Sequence, residues 1–202
     1  DGASAEAEEN VVALSIATRP DCLGDDVLEL LEEMSKKVYL WVELGLQTIN
    51  DETAENFNRG YKFEVFKEGI KKLQDRGIEV VVHSIFGLPG ETKEDMLKTI
   101  DYIAHSGAQG IKFHLLHLMK YTKMAEQYYN GEFELLSEED YIDLICEGIS
   151  MIPEDMVVHR LTGDAPRATL IGPMWSLKKW EVLNAIDKAL VDRDIWQGKN
   201  FK

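Results

Sequence analysis

Apolar positions along the chain switch repeatedly between a strand-like and a helix-like period. Residues 10–18 form a run rich in Val and Ile that ends at Arg19-Pro20. Proline has no N–H for a ladder and restricts the residue before it, so the first strand is expected to stop there. Val27, Leu28, Leu30, Leu31 and Met34 then share one broad helical face, predicting a helix over 25–37. Residues 38–48 (VYLWVELGLQT) read as a second strand and 63–76 as a helix stopped by Gly77. A third strand over 78–86 runs into Gly87-Leu88-Pro89-Gly90. Thr92 with Asp95 three residues on is a capping-box variant opening a helix to about 106. A fourth strand is predicted over 111–118, a short helix over 121–129, and a helix capped by Ser137 running to about 151. A fifth strand over 156–161, a Gly/Pro-containing loop over 162–173 and an amphipathic helix over 176–193 complete the pattern.

Near-continuous apolar strands alternating with helices imply an α/β fold with a parallel sheet covered by helices. An open doubly wound sheet and an incomplete (β/α) barrel both fit that rhythm, and strand polarity separates them. The second strand is read with Tyr39 and Trp41 on one face and Glu43, Gly45 and Gln47 on the other. His83, Ile85 and Gly87 share a face of the third strand, and Lys112 and His114 share one of the fourth. Glycines and polar residues facing one way suit a barrel lumen that holds a ligand. Five strands cannot close such a barrel, so the expected architecture is a partial parallel (β/α) barrel. It would be one domain over 1–202, with an acidic segment over 1–10, β/α repeats over 11–118 and a C-terminal extension over 119–202. An open barrel leaves an unpaired edge, which tends to be covered or to pair with another chain. A homodimer through that edge is one expected consequence.

Composition narrows the function classes. Of 202 residues, 45% are hydrophobic and none falls in a run of about 18 apolar residues, so no membrane span is expected. The start of the chain has neither the basic flank nor the apolar core of a signal peptide, which points to the cytoplasm. A net charge of −15 repels a phosphate backbone, so nucleic acid is not an expected partner of this segment. Two cysteines, Cys22 and Cys146, are too few for a disulfide framework or a cluster site, and Cys146 is expected in the core. No nucleophile–base pair for hydrolysis stands out. A spacing of three along a strand puts His114 and His117 on opposite faces, so no metal site is expected from them.

Six motifs occur in order: SIATRPD (15–21), WVELGLQT (41–48), NRGY (58–61), GLPGET (87–92), IKFHLLH (111–117) and HRLTGDAPR (159–167). Together they resemble a bacterial family of uncharacterised radical S-adenosylmethionine (SAM) proteins. That family is similar to the elongator catalytic subunit and, more distantly, to oxygen-independent coproporphyrinogen oxidase. The resemblance spans Val11 to Lys188. It implies an enzyme that uses SAM and a 4Fe-4S cluster to generate a 5′-deoxyadenosyl radical, which takes hydrogen from an unknown substrate. The similarity to elongator brings in RNA as one candidate for the parent protein. The family's cysteine triad, on the loop after the first barrel strand, has no counterpart here, so the chain reads as the C-terminal part of such a barrel and is expected to be inactive alone. Either the chain is a piece of a longer protein, the reading favoured here, or it is a cluster-free half barrel serving as a binding or scaffold protein. The resemblance further implies that Gln47, Arg59, His83 and Ile85 border SAM, with Arg59 forking to its carboxylate. A carboxylate often stands in relatives where His83 stands here. His114, Arg160 and Asp164 are the expected substrate contacts; no catalytic residue is assigned. The glycines of GLPGET either admit adenine or serve turn geometry.

Overall fold

The computed structural model describes residues 11–202. Five parallel strands form one sheet: β1 (Ala13–Thr18), β2 (Tyr39–Gln47), β3 (Glu79–Phe86), β4 (Gly110–Leu115) and β6 (Val157–Arg160), in the order β1-β2-β3-β4-β6. Helices α1 (Asp25–Ser35), α3 (Phe63–Gln74), α4 (Lys93–His105) and α6 (Glu138–Met151) carry the crossovers between them. Parallel neighbours need such long connections, and each helix buries its apolar stripe on the sheet's outer face. That face presents Leu40, Val42, Leu44 and Leu46 from β2, Val80, Val82 and Phe86 from β3, and Ile111, Phe113 and Leu115 from β4. All are buried and belong to one hydrophobic cluster with α1, α3, α4, α6 and α7 (Lys179–Asp192). Gly148 of α6 has space for little more than hydrogen, because Phe113 would lie 3.1 Å from a Cβ there.

β1 is one edge of the sheet and β6 the other, so the barrel is incomplete, as its strand count predicts. The remaining elements close the C-terminal end. β5 (Leu118–Met119) pairs antiparallel with β7 (Leu170–Gly172), and α5 (Lys123–Tyr129) follows on from β5. The Thr92 capping box is complete, with Asp95 N–H donating to Thr92 Oγ1 and Thr92 N–H to Asp95 Oδ2. Ser137 caps α6 through Asp140 N–H, as its position predicts. Cys146 is fully buried, as expected, and Cys22 is exposed. No helix among the described residues is long and apolar enough to cross a membrane.

Four features depart from the sequence reading. Helix α2 (Asp51–Asn56) lies where none is predicted, capped by Asn50, whose side chain accepts from the N–H groups of Glu52 and Thr53. The fourth strand ends at Leu115 rather than 118, and the 162–173 loop contains β7. Tyr39, Trp41, Glu43, Gly45 and Gln47 all share the inner face of β2, because strict alternation buries Leu40, Val42, Leu44 and Leu46 on the other.

Candidate active-site lumen

The concave face opposite the helices carries the polar residues. At its centre Glu43 gathers one partner from each of three other strands. Ser15 Oγ on β1 donates to Glu43 Oε1 at 2.7 Å. His83 on β3 and the Lys112 ammonium on β4 both meet Glu43 Oε2, at 2.9 and 2.5 Å. The Glu43 side chain is only 12% exposed and that of Lys112 15%, so the charges meet largely out of water. Burial alone raises the Glu43 pKa; the hydrogen bonds from Lys112, Ser15 and His83 outweigh it and bring it to about 2. A carboxylate only accepts, so His83 Nε2 carries the proton and Nδ1 is left as an acceptor. Burial holds the His83 pKa below the ordinary imidazole value against the pull of Glu43.

Below this layer the lumen is filled by rings. Trp41 packs against Tyr39 at 5.7 Å between centroids and, across the curl of the sheet, against His159 of β6 at 6.1 Å. Gly110 makes that approach possible, since a Cβ there would lie 2.7 Å from the His159 ring. Above the layer, His114 stacks 5.0 Å from His83. Burial, with His83, Arg160 and Lys112 close by, pushes the His114 pKa down to about 4, so its ring is neutral at pH 7. Ile85 pairs in register with His114 and stands one layer above His83.

Both rims of the lumen are shaped by register shifts. At the end of β2, Gly45 pairs with His83 while Gln47 pairs with Ser84, and Gln47 adopts a left-handed φ of 64°. Its side chain folds back over Gly45: a Cβ on Gly45 would sit 2.6 Å from Gln47 Nε2. Tyr61 hydroxyl fixes it, lying 3.0 Å from Gln47 Oε1 and 2.9 Å from the Gly45 carbonyl. At β6, Val158 pairs with Ile111 but Arg160 with Lys112, so His159 is extra and Arg160 is re-aimed beside Lys112. Above them, Gly87 and Gly90 of the GLPGET turn take φ of 86° and 87°, which L side chains rarely adopt, so turn geometry requires both glycines.

The predicted site residues divide. Gln47, His83, Ile85, His114 and Arg160 line this lumen or its rim. Arg59 does not open onto it: its side chain is 2% exposed and spends its donors on protein. Nη1 donates to the carbonyls of Leu46 and Thr48, Nε to that of Tyr61, and Nη2 to Asp51 Oδ1. In this arrangement the guanidinium clamps the end of β2 under Gln47. Asp164 is exposed and paired with Lys179 at 2.7 Å. His114 and His117 are not on opposite faces; β4 has ended by Leu115, and both rings approach Gly163, within 3.7 and 3.4 Å of where its Cβ would stand. Sequence reasoning passed over Glu43 and Tyr61 as site residues, although a carboxylate amid VELGL and a tyrosine closing NRGY were visible signals. It passed over Arg19 too, whose guanidinium lies 5.2 Å above the Tyr61 ring.

Residues 3–103 match the Radical SAM superfamily, and residues 108–192 match the Radical_SAM C-terminal domain. The chain belongs to the radical SAM superfamily. It is 51% identical over 194 residues to the uncharacterized protein YtqA of Bacillus subtilis (strain 168), covering 96% of this chain and 60% of YtqA. Over 168 residues it is 30% identical to the tRNA uridine(34) acetyltransferase of Methanocaldococcus jannaschii, which is 82% of this chain and 30% of that protein. The fold is that of a solved structure of archaeal Methanocaldococcus infernus Elp3 with an N-terminus deletion (1–46). The TM-score is 0.79 and the identity 24%, over 92% of this chain and 43% of that one. The chain spans 60% of the length of YtqA and 30% of that of the archaeal acetyltransferase.

Proposed function

We propose that this chain forms the SAM-facing and substrate-facing walls of a radical SAM active site, with the 4Fe-4S cluster held by a part of the whole protein outside these 202 residues. The observation that carries the reading is Gln47. Its neutral amide sits at the mouth of a strand, turned by a register shift and a left-handed φ, and is held over a glycine by Tyr61. Non-glycine residues in that conformation are uncommon and cluster at functional sites. An amide offers both a donor and an acceptor, which suits the ribose hydroxyls or the amino-acid end of SAM. In the GLPGET turn, Gly90 has no atom within 4 Å of where a Cβ would stand, which would admit close backbone approach by a planar base, whereas Gly87 is covered by Leu136.

The cluster itself has no fit here. The chain has two cysteines, one exposed after β1 and one in the core of α6, where a three-thiolate set is needed. SAM bound beside a reduced cluster supplies a 5′-deoxyadenosyl radical for hydrogen abstraction. The residues of this chain do the rest. Gln47, Ile85 and the His83 Nδ1 acceptor border SAM. Arg59 positions the strand end that carries Gln47. Trp41, Tyr39 and His159 line the lower lumen with rings. His114 and Arg160 face the substrate, and Asp164 holds the loop above them through Lys179. The name of the archaeal relative brings RNA into the reading as a substrate class; against it, a net charge of −15 gives the chain little to hold a polyanion.

The test is SAM binding by calorimetry to the chain and to Gln47→Ala. Loss of one neutral hydrogen-bonding group, worth about 1 kcal/mol, weakens affinity by roughly fivefold. Equal affinities in the two proteins would remove the SAM assignment.

A further inference from the structure

Four of the chain's five histidines, His83, His114, His117 and His159, gather in or above the lumen of a protein that otherwise carries 37 acidic against 22 basic residues. The charges among them almost cancel. Glu43 takes Lys112, and Asp164 takes Lys179. Arg160 is left over: its guanidinium makes no hydrogen bond or ion pair with any described residue, yet it is close enough to lower the pKa values of His83 and His114. The register shift at His159 brings it to the lumen side, and it is exposed there. Two further groups point to an unfilled demand. His114 Nε2 and His117 Nε2 are both buried without a hydrogen-bond partner, and both rings flank Gly163. Buried polar nitrogens are almost always paired, so two together mark a place where a polar group enters.

We infer that this corner of the lumen, formed by Arg160 with His114 and His117 under the 162–168 loop, binds an oxyanion of the substrate, a phosphate or a carboxylate. The inference rests on the reading of the lumen as a substrate site. Arg160 supplies a charge that no carboxylate hydrogen-bonds, though Asp164 lies near enough to feel it, and a planar fork that matches either anion. His114 is neutral, and the Nε2 tautomer of each ring offers an N–H donor without adding a charge that burial would penalise. Every carboxylate nearby is already neutralised by a lysine, so an entering anion meets no free negative charge at this corner.

The experiment follows the histidine side-chain nitrogen signals by NMR on the 202-residue chain. Inorganic phosphate, acetate and the uncharged isostere acetamide are titrated at constant ionic strength. Saturable shifts of His114 and His117 with phosphate or acetate, and none with acetamide, are expected; phosphate against acetate tells the two anions apart. Arg160→Gln should weaken the anion's binding roughly tenfold, as expected for a lost charge-assisted bond, and Arg160→Lys less. The exposed Lys98→Gln should leave it unchanged. Absence of saturation with both anions, equal response to acetamide, or shifts that persist undiminished in Arg160→Gln would overturn the inference. A SAM titration on the same samples separates the two readings. Anion binding without SAM binding removes the proposed SAM site and leaves this one, and the reverse outcome removes only this one.

Discussion

Glu43→Gln probes the layer on which both halves of the lumen rest. In the native protein the carboxylate holds Ser15, His83 and Lys112 at once. Lowering its pKa from 4.5 to about 2 corresponds to about 3 kcal/mol in favour of the folded, charged form. The amide keeps the shape but removes the charge, leaving the Lys112 ammonium, 15% exposed, without its counter-ion. Breaking one side of a largely buried pair costs about 3–5 kcal/mol; the residual solvent contact here favours the lower end. A loss of about 3 kcal/mol in a chain of this size lowers Tm by about 6–12 °C. The pH dependence has a definite sign. Because the folded-state value is depressed, the contribution is complete above pH 4.5 and is lost as pH falls through about 2. Urea unfolding of the wild type should therefore steepen in that window, and that of Glu43→Gln should not. Adding Lys112→Met removes the stranded charge and should recover at least half of the loss. A single-variant cost below about 1 kcal/mol, or a double variant as unstable as the sum of its parts, would refute this account of the layer.

Other outcomes follow from the same geometry. Arg59→Met strips donors from the carbonyls of Leu46, Thr48 and Tyr61, and should cost on the order of 3–5 kcal/mol in urea unfolding. Gly45→Ala pushes against the flexible end of Gln47 and, less closely, the Tyr61 hydroxyl at 3.3 Å, so calorimetry should show weaker SAM binding by several-fold, with Tm within about 2 °C of wild type. Glu91, which accepts from Thr48 and whose Oε2 is buried without a partner, has its pKa raised by burial to about 6. Its favourable contribution is present below pH 4.5 and fades as pH rises through 6, so Glu91→Gln should be more stable than wild type at pH 8 by about 1–2 kcal/mol and no more stable at pH 4.5. Anaerobic reconstitution of this chain with iron and sulfide should leave no stoichiometric cluster absorbance, since two cysteines cannot supply three thiolates.

The five sheet strands and the long helices were legible because each has a strong period. Leu40 to Leu46 and Ile111 to Leu115 bury every second residue, and the alternation is visible in the letters. Helix α2 was not legible, since DETAEN has no apolar stripe and owes its start to the Asn50 cap, a polar signal on a polar segment. β7, three residues within a Gly/Pro loop, exists because β5 offers it a partner about 50 positions earlier, which no local window contains. The same limit explains Arg59. Its spacing from Gln47 is in the sequence; the carbonyls that occupy its donors are those of a strand end whose course depends on the tertiary fold.

What alternation cannot reveal is where it fails, and the site lies at two such failures. Along β6 a strict period of two would send His159 and Arg160 to opposite faces; along β2 it would carry Gln47 straight on from Gly45. The register shift at Ile111/Lys112 breaks the first rule, while that at Gly45/Gln47 keeps Gln47 on the inner face but gives it a left-handed backbone; each turns one side chain at the C-terminal end of its strand. They stand on opposite rims with two strands, β3 and β4, between them, over the Glu43–His83–Lys112 layer. A ligand held by Gln47 and one held by Arg160 would therefore lie over a common floor without sharing a contact. On the proposed reading, that separation lets a cofactor and a substrate bind independently, with their reacting atoms above a layer whose Glu43 carboxylate stays ionised at neutral pH.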